Sequence, residues 1–164
     1  MRPDLAVREA TTDDVGAIRR VARKAWRETY GFIDEETVEG MLAQGYSTEF
    51  LEAAIGSPEL TLFVAEADGE VVGYVSCEPP DADGVGQVSI HVSPDYWGEG
   101  TGTALLERSE AYLREEGATA VQDAVLANNE VGNAFYAWHL ERVDETTVEL
   151  GGEEYDANIY RGDL

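Results

Sequence analysis

One cysteine and one lysine are all that this chain of 164 residues contains of those two types. A lone Cys77 cannot form an internal disulfide, which points to a reducing compartment and so to the cytoplasm. Cations are scarce altogether, with 11 Lys and Arg against 34 Asp and Glu and a formal net charge of -23. Such a field repels phosphate backbones and anionic lipid headgroups, which excludes nucleic acid and membrane surfaces as partners. No apolar run approaches the ~18 residues of a membrane span. The opening M-R-P-D-L-A-V also lacks the apolar core of a signal peptide. The histidines and the cysteine are too scattered for metal-ligand spacing, so no metal is expected.

The chain does have the makings of a core. Hydrophobic residues make up 43% of it, enough for a single domain over residues 1–164, and no linker or repeat divides it. The acids are spread over helix faces and turns above an intact apolar pattern, which separates this chain from disordered acidic tails. The pattern suits a halophilic protein, because at ~1 M salt the screening length falls to ~3 Å and self-repulsion is relieved. An acidic groove for cationic substrates is the competing explanation of the same charge.

Periodicity and turn chemistry divide the chain into alternating elements. Leu5 to Glu9 reads as a strand, and Thr11 and Asp14 cap a helix whose apolar stripe (Val15, Ile18, Val21, Ala22, Ala25, Trp26) runs to about Tyr30. Shorter helices are expected at Glu35 to Ala43 and Thr48 to Ile55, with a break at Gly45. Leu60 to Ala67 and Glu70 to Glu78 form an antiparallel hairpin about Asp68-Gly69. Gln87 to Val92 is a fourth strand, followed by a glycine loop and a helix that stops at Gly117. A fifth strand covers Ala120 to Leu126, a helix Val131 to about His139, and a last hairpin Thr146 to Leu150 and Tyr155 to Tyr160, turning at Gly151-Gly152.

The segment V-S-P-D-Y-W-G-E-G-T-G-T-A-L-L, Val92 to Leu106, carries the most chemistry. Glycines at 98, 100 and 102 ahead of an amphipathic helix make an anion cradle, because helix N-terminal N–H groups are unpaired and glycines allow close approach. A nucleotide triphosphatase loop would end in Gly-Lys-Ser/Thr, whereas Gly102 is followed by Thr103 and Ala104. A dinucleotide fingerprint needs G-x-G-x-x-G after the first strand, and here the order is G-x-G-x-G well into the chain. The loop resembles the acetyl-CoA signature of the GNAT family of N-acetyltransferases, with Trp97 at the position usually held by arginine or glutamine. A second segment, N-N-E-V-G-N-A-F-Y from Asn128 to Tyr136, resembles that family's N-E-x-A-x-x-F-Y motif. Beyond Tyr136 the family commonly reads E-K/R-L-G-F, where this chain has Ala137, Trp138, His139, Leu140 and Glu141.

The resemblance spans nearly the whole chain. It implies an α/β (α+β) fold: a mixed, mostly antiparallel central sheet of about six to seven strands, flanked by helices and splayed between strands 4 and 5. It further implies acetyl-CoA as cosubstrate, an amine on a protein or small molecule as acceptor, and a homodimer as a possible assembly. Backbone groups of Ile90, His91 and Val92 would hold the pantetheine arm, one of them serving as oxyanion donor. Gly98, Glu99, Gly100, Thr101, Gly102 and Thr103 would hold the pyrophosphate, and Asn129 would contact the arm from the other side. Tyr136 would protonate the departing thiolate, since a phenol with pKa near ~10 keeps its proton at neutral pH. Trp26, Tyr30 and Phe32 would line the acceptor pocket, with helix core as the alternative reading for Trp26. For the base, relatives use a carboxylate early in the fourth strand. Those positions are Gly86 and Gln87 here, which leaves Glu78 and His91 as substitutes. The missing carboxylate also admits a second function, a catalytically inactive CoA-binding regulatory module. His139 and Cys77 fit structural roles, at a helix end and in an apolar strand.

Overall fold

Two glycine-bearing turns frame the sheet in the computed structural model, which describes residues 5–164. Asp68 (φ 54°) with Gly69 (φ 81°), and Gly151 (φ 59°) with Gly152 (φ 84°), adopt paired left-handed conformations. Two-residue hairpins need that backbone to match the twist of their strands. The first turn joins β2 (Thr61–Ala67) to β3 (Glu70–Glu78), and the second joins β6 (Glu141–Leu150) to β7 (Glu153–Asp163). With β1 (Ala6–Glu9), β4 (Val85–Val92) and β5 (Ala120–Leu126) they form one seven-stranded sheet of order β1-β2-β3-β4-β5-β7-β6. Every neighbouring pair is antiparallel except β4 and β5.

Five α-helices accompany the sheet among the described residues: α1 (Val15–Thr29), α2 (Glu35–Gly45), α3 (Thr48–Ile55), α4 (Thr101–Glu115) and α5 (Glu130–His139). Both sheet faces are covered, which is why β2 and β3 read as nearly continuous apolar runs. Leu62 and Val64 pack with Ile18, Val21 and Ala22 of α1. Their alternates Phe63 and Ala65 pack with Leu105 and Leu113 of α4. The expected Thr11/Asp14 cap closes a short 3-10 turn, Thr12–Asp14, that leads into α1: the Thr11 N–H donates to Asp14 Oδ2 at 2.8 Å. The Arg8 guanidinium grips both carboxylate oxygens of Asp14 at 2.8 and 2.9 Å.

Three regions depart from expectation by two residues or more. Gly45 closes α2 instead of breaking it early, because the Tyr46 N–H donates to Leu42 O at 2.9 Å and completes the last turn, while Asp34 caps the front by accepting from the Thr37 N–H at 2.8 Å. β4 begins at Val85, as the Val85 N–H is tied to Asp81 Oδ1 at 3.0 Å. The final hairpin is much longer than Thr146 to Leu150 and Tyr155 to Tyr160. Glu141 to Thr147 are exposed and charged or polar apart from Val143, so no alternation marks them, yet their backbone pairs with β7 on both sides of a bulge at Val143.

Candidate active site

β4 and β5 pair only at Val85↔Ala120, Gly86↔Val121 and Gln87↔Gln122, and beyond those positions they part. The ladder fixes which groups face the gap. The Ser93 N–H donates to Val72 O at 2.8 Å, so in the antiparallel β3–β4 register the backbone of residues 93, 91 and 89 is turned towards β3. The intervening Ile90 and Val92 therefore turn theirs into the gap. Of the three backbones expected there, His91 is the correction: its N–H and C=O belong to the β3 ladder and only its side chain reaches the site. The Val92 carbonyl is taken as well, by the Trp97 indole N–H at 2.8 Å. Ile90 N–H, Ile90 C=O and Val92 N–H remain.

The glycine loop closes one end of this gap. Gly98 (φ 77°) and Gly100 (φ 87°) are left-handed, and α4 starts at once with Gly100 as its N-cap. The Ala104 N–H closes the first helical bond onto Gly100 O at 3.0 Å. Helix geometry then leaves the N–H groups of Thr101, Gly102 and Thr103 pointing out of the helix end. Gly102 is small for a different reason, since a Cβ there would stand 2.9 Å from the Phe135 ring of α5. A cavity of roughly 460 Å³ runs from this cradle along the splay, lined among others by Ile90, Val92, Gly98, Gly102, Asn129 and Tyr136. Asn129 caps α5, its Oδ1 accepting from the Gly132 N–H at 2.9 Å.

Tyr136 is buried on the inner face of α5, stacked on Tyr160 with ring centroids 5.8 Å apart. Its hydroxyl has no hydrogen-bond partner. Asn133, one turn earlier, locks the helix in place. Its Nδ2 donates to Leu126 O and Asn129 O at 2.9 and 2.8 Å, and its Oδ1 accepts from Asn158 Nδ2 and Tyr160 OH at 2.8 Å each. Burial and the neighbouring Asp123 carboxyl push the Tyr136 phenol well above its ordinary pKa, so it stays protonated. Asp123 itself is pushed up to about 7 by burial, against the opposing pull of Tyr136 and of the Ala124 N–H. The Asp123 carboxyl and the Tyr136 hydroxyl thus shift one another's proton affinity, Asp123 upward on the phenol and Tyr136 downward on the carboxyl.

Asp123 is the residue that sequence reasoning missed. It is the first β5 position past the last β4–β5 pair, and its field reaches Tyr30 and Tyr46 as well as Tyr136. The signal was present in A-V-Q-D-A-V-L, where an acid interrupts a strand otherwise free of charge.

The two expected bases stand differently. Glu78 is exposed and pairs with Gln87, five residues and therefore roughly 16 Å along β4 from Val92. Its exposed side chain is not among those that line the cavity. His91 does line the cavity, between Trp26 (centroids 5.9 Å) and Tyr74 (5.3 Å), with Nε2 3.1 Å from Ser89 Oγ. Burial holds its imidazole down to about 4, which leaves it neutral and feebly basic at pH 7. From α1, Ala25 and Thr29 line the cavity directly. Trp26 and Tyr30 stand behind them in edge contact at 5.5 Å, while Phe32 is 39% exposed and turns to Tyr155. Burial pushes the Cys77 thiol up to about 12, so it is unreactive at neutral pH. Among the described residues no group of three or more His, Cys, Asp or Glu could hold a metal ion, and no helix is long and apolar enough to cross a membrane.

Comparison with known proteins gives this geometry a family. The model of the acetyltransferase (GNAT) family matches residues 18–139. Spermidine N(1)-acetyltransferase of Thermoplasma acidophilum is 26% identical over 147 residues, spanning 87% of this chain and 91% of its own length. L-2,4-diaminobutyric acid acetyltransferase of Nocardia farcinica is 38% identical over a shorter stretch of 81 residues, 47% of this chain and 41% of its own. The crystal structure of PaiA N-acetyltransferase from T. acidophilum in complex with coenzyme A shares the fold with a TM-score of 0.82 at 22% identity, over 98% of this chain and 99% of that one.

Proposed function

This chain belongs to the acetyltransferase (GNAT) family, and from that premise we propose that it transfers an acetyl group from acetyl-CoA to a primary amine by direct attack. One observation carries the reading: the splay past Gln87↔Gln122, the glycine cradle and Tyr136 all open onto a single cavity. The residues present fit CoA. Two left-handed glycines expose the donors of a helix end, and the Ile90 N–H, Ile90 C=O and Val92 N–H face the gap with no β5 partner, as an extended amide-bearing arm requires.

Acetyl-CoA supplies the acetyl group and a thiolate leaving group. Asp123, with its pKa near neutrality, accepts the proton of an incoming ammonium and frees the nitrogen lone pair. The nitrogen forms its bond to the carbonyl carbon while an N–H of Ile90 or Val92 stabilises the oxygen. As the C–S bond breaks, Tyr136 gives its proton to sulfur. The proton lost by nitrogen as the amide forms restores the phenol, and Asp123 releases the first proton to solvent. In this reading a carboxylate on β5 takes the part that Gly86 and Gln87 cannot, which favours an active enzyme over an inactive CoA-binding module.

Spermidine and L-2,4-diaminobutyric acid, for which two relatives are named, each carry more than one amino group. A cationic diamine or polyamine suits a chain of net charge -23 with the Asp123 carboxyl neighbouring Tyr136. We assign the acidity itself to function at high salt, and the lone buried thiol to a reducing cytoplasm. CoA release at molar KCl over a panel of polyamines, diamino acids, lysine peptides and free peptide N-termini tests the reading. The diamines and polyamines should turn over fastest, and release with none of the amines would refute acetyl transfer.

A further inference from the structure

The cavity has to hold a polyanion without side-chain cations. Among the described residues that line it there is no lysine or arginine. The two positions where the GNAT motifs commonly carry a cation or amide, the residue before the glycine loop and the second after Tyr136, are both tryptophan here. Trp97 has a local task, donating to Val92 O. Trp138 has none of that kind. It is 85% exposed, the most exposed of the large hydrophobic residues described, yet it lines the same cavity as Gly98 and Gly102. Val131, 42% exposed and seven residues earlier on the same face of α5, extends an apolar strip along the cavity rim. The strip sits close to the phosphate cradle, because the adjacent His139 Nε2 is 3.0 Å from Thr103 Oγ1 in the first turn of α4.

Resting on the acetyl-CoA reading, we propose that Trp138 is a stacking platform for the adenine base of CoA. An indole held in water beside a phosphate site suits a flat heteroaromatic ring attached to phosphate. Stacking is also insensitive to the salt that would screen a lysine or arginine at the same position. In a chain of net charge -23, aromatic area replaces charge as the means of holding the nucleotide end, and the backbone cradle is left to hold the pyrophosphate.

The test compares two ligands that differ in the adenosine moiety. Calorimetry at molar KCl measures CoA and 4′-phosphopantetheine against wild type, Trp138→Ala and Trp138→Phe. Trp138→Ala should weaken CoA about tenfold or more, the loss of one base stack. It should leave 4′-phosphopantetheine unchanged, with Trp138→Phe recovering part of the CoA affinity. The side chain is exposed, so neither substitution should impair folding. Equal CoA affinity in wild type and Trp138→Ala overturns the proposal, as does an equal loss for both ligands. Wild type that binds neither ligand overturns the acetyl-CoA reading and this proposal with it.

Discussion

Replacing Asp123 by asparagine should make the protein more stable and less active at the same time. The folded state holds this carboxyl near about 7 against an ordinary 3.8, so protonation favours the native structure. The favourable contribution is fully present below about 3.8 and is lost as pH rises through about 7. At 1.36 kcal/mol per tenfold change, that interval corresponds to about 4 kcal/mol at its limit. Because the side chain retains some accessible surface, about 2–4 kcal/mol is the reasonable range. Asparagine keeps the shape and never ionises. At pH 8 the variant should therefore melt roughly 5–15 °C above wild type, whereas at pH 4 the two should nearly coincide. Thermal melts in molar KCl across that range supply the assay, paired with CoA release on the same preparations. Turnover should fall by ~100-fold or more, and the rise in wild-type rate centred near pH 7 should disappear. A stability gap that stays flat with pH, or favours wild type at pH 8, would mean that Asp123 ionises as readily folded as unfolded. The assignment of the base would then lose its ground.

Other consequences can be checked independently. Tyr136→Phe keeps the ring stacked on Tyr160 and removes a hydroxyl that has no partner to lose, so CoA affinity should persist while turnover drops by ~100-fold or more. Gly100→Val meets no atom within 4 Å but must adopt φ 87°, so the cost falls on the backbone. A melting shift equivalent to ~1–2 kcal/mol and a clear loss of CoA affinity by calorimetry are expected, and equal binding would mislocate the cradle. Melting temperature should climb steeply with KCl, because a net charge of -23 on 164 residues is self-repulsive until screened. A melt unchanged from low to molar salt would leave the acidity without that explanation.

The site was unevenly legible before the fold was known. The glycine loop could be read locally, since left-handed turns and a helix N-terminus are encoded in a dozen consecutive residues, and α4 begins at Thr101 where Gly100 allows it. The turns at Asp68-Gly69 and Gly151-Gly152 are local in the same sense. Tyr136 was reachable through its motif, but its isolation from hydrogen-bond partners was not. Asp123 was visible only as an acid in an apolar strand, and His91 only as a histidine near a strand end.

Sequence alone determined what nearest neighbours along the chain control, the helix stripes, the hairpin turns and the anion cradle, together with the net charge of -23. Tertiary structure decided what depends on contacts between distant segments. β7 inserts between β5 and β6, so the strand that supports Tyr136 comes from the end of the chain, and the exposed Glu141–Leu150 strand exists because β7 offers its backbone a partner. The β4–β5 register stops at Gln87↔Gln122, and that stop makes Asp123 the first residue beyond the paired region. The same pairing turns the His91 backbone to β3, while Glu78 stays exposed and outside the cavity lining. Hydrogen-bond direction alternates along a strand, and a proton's affinity follows burial. Both are set by the partner strand and the packing above it, which the local pattern of residues does not specify.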